Sequence, residues 1–134
     1  MKNKLYRVDS LSYKDESLCV NLDQLVEMQP DGLVGAGWGV DDRSSQISIS
    51  VMHSVAFKVE PEILNSFRRS IVELDACLYE DTDSVYIKEQ GYASEMYSRY
   101  EGEYSLRHFV IYAENLVVHA ISPIVPIVSE GRCA

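Results

Sequence analysis

The chain is poor in the residues that staple small secreted domains or build metal centres. Its three cysteines, Cys19, Cys77 and Cys133, lie far apart, with no Cys-x-x-Cys pair and no histidine three to five residues from any of them. That spacing argues against both a disulfide framework and a zinc site. Long apolar runs are missing too, so no segment reads as a transmembrane helix. The first residues are basic but pass through Arg7 to Asp9 without an apolar stretch, so the pattern of a signal peptide is not there. Together these absences point to a cytoplasmic location.

Cations are scarce. Twelve Lys and Arg stand against twenty-one Asp and Glu, a formal net charge of −9. Phosphate contacts need a basic face, so direct nucleic-acid binding is disfavoured. Cofactor motifs are equally thin. Gly35, Gly37 and Gly39 surround the single tryptophan, Trp38, but no Lys-Ser/Thr follows and Asp41-Asp42 would repel an anion. A bulged or kinked strand explains those glycines better. Asp81 and Asp83 have the spacing that opens a calcium loop, yet the third ligand, the glycine and the closing glutamate are absent. There is no Gly-x-Ser-x-Gly elbow. No cofactor and no metal is expected, and an enzyme is the less favoured reading.

What is present suits a domain with its own core. At 134 residues and 46% apolar content, the chain can form a single domain over 1–134, with 129–134 expected to fray. Lys4 to Tyr13 reads as a strand and Lys14-Asp15-Glu16 as the turn after it. Residues 18–28 fit either a second strand or a helical stripe. Gln46 to Val59 alternates over an unusually long run, which predicts a strand that bends or crosses between two parts of a sheet. Pro61 can open a helix, and Ile63, Phe67, Ile71, Leu74 and Leu78 recur at helical spacing, so one principal helix is expected from Pro61 to Tyr79. Asp81 to Ser84 reads as a loop and Val85 to Glu89 as a short strand. Leu106 to Ala113 and Leu116 to Ser122 form a hairpin around Glu114-Asn115, where Asn tolerates positive φ. Pro123 to Val128 can only be an edge strand or extended arm, and it is a candidate contact for a homodimer. The expected class is α+β: a twisted antiparallel sheet of five to seven strands with the one helix packed on one face.

Two groups of residues are candidates for function. Between Glu73 and Glu103 nine acids face only Lys88 and Arg99, a net −7, and seven of the nine tyrosines lie in or beside this stretch. Tyrosine supplies contact area at low entropic cost, and carboxylates steer and pair with Arg and Lys. Asp81, Asp83, Tyr92, Glu95, Tyr97, Tyr100, Glu101 and Glu103 are therefore the candidate surface for a basic protein partner. An inhibitor or immunity protein that neutralises a basic toxin or nuclease by occlusion would use such a surface. The alternative is a small enzyme or ligand-binding domain built from Trp38, His53, His108 and His119. In the predicted register His108 and His119 are diagonal neighbours on one hairpin face. His53 falls on the apolar parity of its strand, where a hydrogen-bonded core histidine is the commoner outcome.

Overall fold

The computed structural model describes residues 5–27, 37–42, 44–61, 70–90 and 105–133. The strands run in chain order as β1 (Tyr6–Lys14), β2 (Ser17–Gln24), β3 (Val26–Glu27), β4 (Trp38–Gly39), β5 (Gln46–Val51) and β6 (Ala56–Pro61). After these come β7 (Ile71–Asp75), β8 (Leu78–Asp81), the helix α1 (Val85–Glu89), β9 (Arg107–Tyr112), β10 (Leu116–Ser122) and β11 (Ile127–Glu130). They assemble into a four-stranded sheet ordered β1-β2-β5-β11, a five-stranded sheet ordered β6-β10-β9-β8-β7 and a two-stranded ribbon of β3 and β4. Every pairing is antiparallel.

The α+β expectation is overturned. Of the described residues 61% are strand and 5% helical, and no helix reaches seven residues. Where the principal helix was expected, Pro61 ends β6 and Ile71 to Asp81 form the β7–β8 hairpin, while 62–69 lie outside the described residues. Pro61 ends a strand at the edge of its sheet, where a missing N–H costs the ladder little. The apparent stripe fails because Leu74 is exposed and Leu78 is buried, which opposite sides of a turn permit and one helix face does not. Ala76 makes that turn with φ 50°. The strand expected at Val85 to Glu89 is instead α1, started by Ser84, whose hydroxyl accepts the Ile87 N–H.

The four- and five-stranded sheets share one core. Leu18, Val20, Leu22, Ile49 and Val51 from the first meet Leu78, Phe109, Ile111, Val118 and Ala120 from the second. Burying a Val, Leu, Ile or Phe of this set stabilises the fold by roughly 1.5–3 kcal/mol relative to exposure. The long run from Gln46 to Val59 breaks at residues 52–55, and its halves belong to different sheets, β5 to the four-stranded and β6 to the five-stranded one. The chain crosses back between β10 and β11. Ser122 ties the two crossings together, its hydroxyl donating to the Met52 carbonyl at 2.6 Å and accepting the Ile124 N–H at 3.1 Å.

Turn chemistry fixes the registers. Asp15 and Glu16 both take positive φ, 52° and 62°, the pattern of a two-residue hairpin turn that matches the strand twist. Lys14 then faces Ser17 across β1 and β2. In the β9–β10 hairpin Tyr112 pairs with Val117 and His108 with Ile121, the register expected from alternation. Its turn does not use positive φ at Asn115. The Asn115 amide is engaged elsewhere, accepting the Val8 N–H at 2.9 Å and donating to the Val8 carbonyl at 3.0 Å, beside the irregularity between Val8 and Ser10. Glu114 N–H donates to the Tyr6 carbonyl at 2.8 Å, so this turn clamps one sheet to the other.

The C-terminal residues through 133 are held. β11 pairs with β5, Gly131 N–H donates to the Gln46 carbonyl, and Arg132 forms an ion pair with Asp9. Cys133 is joined to Cys19 in a disulfide with a Cα–Cα separation of 6.4 Å, a pairing that the wide sequence spacing had argued against. Strand pairing brings together what sequence distance keeps apart: β2 and β11 both flank β5. Such a bond persists in oxidising surroundings and is opened by cytosolic reductants. No helix among the described residues is long and apolar enough to cross a membrane.

Candidate functional site

The five-stranded sheet has two unlike faces. Phe109, Ile111, Val118 and Ala120 point into the shared core, and by alternation His108, Val110, Val117 and His119 point the other way. On that second face His108 on β9 and His119 on β10 are diagonal neighbours, and both are buried. Their rings meet directly, with His108 Nε2 2.8 Å from His119 Nδ1.

The contact extends at both ends. His108 Nδ1 lies 2.7 Å from the Ser84 hydroxyl and 3.7 Å from Asp81 Oδ2, and His119 Nε2 lies 3.6 Å from Glu60 Oε2. Two sets of proton positions satisfy the hydrogen bonds of the neutral form. In one, Ser84 O–H donates to His108 Nδ1, His108 Nε2–H donates to His119 Nδ1, and His119 Nε2–H faces the Glu60 carboxylate. In the other, His119 Nδ1–H donates to His108 Nε2, and His108 Nδ1–H donates to Ser84 Oγ and faces the Asp81 carboxylate. Asp81, also buried, accepts from the Ser70 hydroxyl at 2.7 Å and from the Asp83 N–H at 3.1 Å.

Helix α1 closes over the pair. The Tyr86 ring meets His108 and His119 edge-on, at centroid separations of 5.3 and 6.2 Å. Lys58 sits 4.6 Å from the Tyr86 ring centre and 3.0 Å from Glu60. Burial first, and then the Glu60 and Glu89 carboxylates, push the Tyr86 phenol above the usual tyrosine range. Beside the helix lies a cleft of about 390 Å³ whose lining includes Asp81, Ser84, Ile87, Lys88, Leu106 and Arg107. Ser84 reaches this cleft, but its hydroxyl is occupied by the Ile87 N–H and by His108, which makes it a structural link in a closed chain rather than a presented nucleophile.

The other candidates sit apart. Trp38 is exposed on β4, and His53 stands in the exposed turn after β5 with φ 54°, its Nδ1 4.0 Å from Glu16 Oε2. Of the proposed partner surface, Asp83 is exposed and paired with Lys88 at 3.3 Å, whereas Asp81 is buried at 4% exposure. Tyr92, Glu95, Tyr97, Tyr100, Glu101 and Glu103 lie outside the described residues. Among the described residues no group of three or more His, Cys, Asp or Glu could hold a metal ion.

Sequence reasoning missed Ser84, Tyr86 and Glu60. Ser84 carried a signal, since a serine after Asp-Thr-Asp is a common helix start. Glu60 carried none, because its approach to His119 depends on β6 pairing with β10 across more than fifty residues.

The acidic stretch takes a definite form. Ile71 to Asp81 is a hairpin whose outer strand, β7, exposes Val72, Glu73, Leu74 and Asp75 together. Among the described strands β7 is the outermost of its sheet. From Ser70 to Gln90 six acids face Lys88 alone. Among the described strands β11 is the outer strand of the four-stranded sheet, and Ile124, Val125 and Ile127 are exposed on and before it. Comparison with protein-family models, with curated proteins and with solved structures returned no match.

Proposed function

We propose that the protein is a binding module that captures a basic protein partner along the β7 edge and acts by occlusion, as inhibitors and immunity proteins do against basic toxins and nucleases. The observation that carries the reading is β7 itself. An outer strand that exposes four consecutive residues, two apolar and two acidic, offers backbone groups for strand addition, side-chain area for affinity and charge for steering. Glu80 does not add to that charge, because Arg107 holds it in a two-pronged ion pair at 2.6 and 2.8 Å. Glu73, Asp75, Asp83 and Glu89 remain exposed on the hairpin and on the turn and helix after it.

The experiment is capture of partners from the native host on the immobilised full chain, followed by association kinetics of the purified partner across a salt series. A basic partner whose association slows as salt rises supports the reading. An acidic partner, or association indifferent to salt, contradicts it. The alternative pocket of Trp38, His53, His108 and His119 has a single observation behind it, the contact between the last two.

A further inference from the structure

We infer that the His108–His119 pair is a proton-operated latch, which holds α1 on the five-stranded sheet and releases it when the pair takes up its second proton. The neutral pair carries two ring protons on four nitrogens, and one of those protons makes the bond between His108 Nε2 and His119 Nδ1. The first added proton goes to an outward nitrogen, His108 Nδ1 beside Ser84 Oγ and Asp81 Oδ2 in one tautomer and His119 Nε2 beside Glu60 Oε2 in the other, and the bond between the rings survives in both. The second proton has only a facing nitrogen left to occupy. Both facing nitrogens then carry hydrogens, the bond between the rings is lost, and two cations sit with ring centres 5.0 Å apart.

Every described element around the pair contributes a charge or a titratable group. β8 supplies Asp81 and β6 supplies Glu60, which favour protonation, while Lys58 of β6 opposes it. Tyr86 of α1 stays neutral through the range in which histidine titrates, because its phenol is pushed upward. The repulsion is relieved where the structure is weakest. β9 and β10 are central strands bonded to each other and to neighbours on both sides. α1 has five residues, and its described links to the pair are the Ser84 hydrogen bond and the edge of the Tyr86 ring. Its departure would widen the cleft that Ile87 and Lys88 line against Leu106 and Arg107. The latch operates whether or not a partner docks on β7.

The test is an NMR titration of the full chain, with labelled imidazole nitrogens followed from about pH 8 to about pH 4.5. His108 and His119 should titrate in two linked steps. After correction for intrinsic exchange, protection of the Ile87 and Gln90 amides should fall about tenfold or more across the second step, while Val110 and Val118 keep theirs. His119→Gln should abolish that fall. Independent single-step titration of the two rings, or Ile87 protection that does not change with pH, would overturn the latch. Both outcomes are read on the unsubstituted chain, so failure of the variant to fold does not spare it.

Discussion

Two hairpins lie side by side in the five-stranded sheet, and they have opposite relations to water. In β9–β10 nearly every residue is buried on both faces, with Phe109 and Val118 in the shared core and Val110 and Val117 on the far side. In β7–β8 the outer strand buries almost nothing, and only Leu78 and Asp81 of the inner strand are buried. The same pairing geometry thus serves two ends. Where both faces are covered, apolar area holds the fold together. Where the hairpin reaches past the core, its sequence is released from packing and can carry charge.

That contrast predicts a graded series. Phe109→Ala removes a side chain with no exposure from the shared core and should cost about 3–5 kcal/mol, read as a lowered midpoint in chemical denaturation. A cost below about 1 kcal/mol would mean that the two sheets do not pack as described. Asn115→Ala leaves both backbone groups of Val8 without their side-chain partner and should cost about 1–3 kcal/mol. Asn115→Asp should recover only part of that loss, since a carboxylate accepts from the Val8 N–H but cannot donate to its carbonyl.

Cys77, at the turn of the exposed hairpin, tests where the covered region ends. Burial pushes its thiol from 9.0 up to about 12, so the folded chain keeps a proton that the unfolded chain gives up first. The thiol's contribution is complete below about pH 9 and is lost as pH rises from there towards about 12. Denaturation midpoints across that range should fall less steeply in Cys77→Ala. Tyr6, Tyr79 and Tyr86, all raised by burial, leave a residual slope in the same direction. Smallest of all, Val72→Ser and Leu74→Ser should each alter stability by no more than about 0.5 kcal/mol. A larger loss would show that β7 is packed rather than presented.

The same contrast explains what the sequence made legible. β9–β10 could be read to the exact pair, because covered strands flanking a short polar turn leave little freedom of register. β7–β8 was mistaken for helix because Ile71, Leu74 and Leu78 happen to be three and four residues apart, and β7, exposed on both faces, shows no alternation to contradict them. The His108–His119 contact was visible in outline from the hairpin register. Its extension to Glu60 and Ser84 was not, since β6 reaches β10 across the sheet and α1 was read as strand. The Cys19–Cys133 pairing was hidden for a like reason, its 114-residue separation being closed only when β2 and β11 flank β5.

Matched charge reversals test most directly whether the exposed hairpin is the proposed partner surface. Glu73→Lys with Asp75→Lys changes net charge by as much as Glu114→Lys with Glu130→Lys, and all four side chains are exposed. The first pair lies on β7, whereas the second lies at the β9–β10 turn and on β11. Association rates with the captured partner should fall about tenfold or more for the β7 pair, with a weaker salt dependence. The control pair should lower them only slightly, through net charge. Equal losses in the two variants, or no loss on β7, would contradict the assignment.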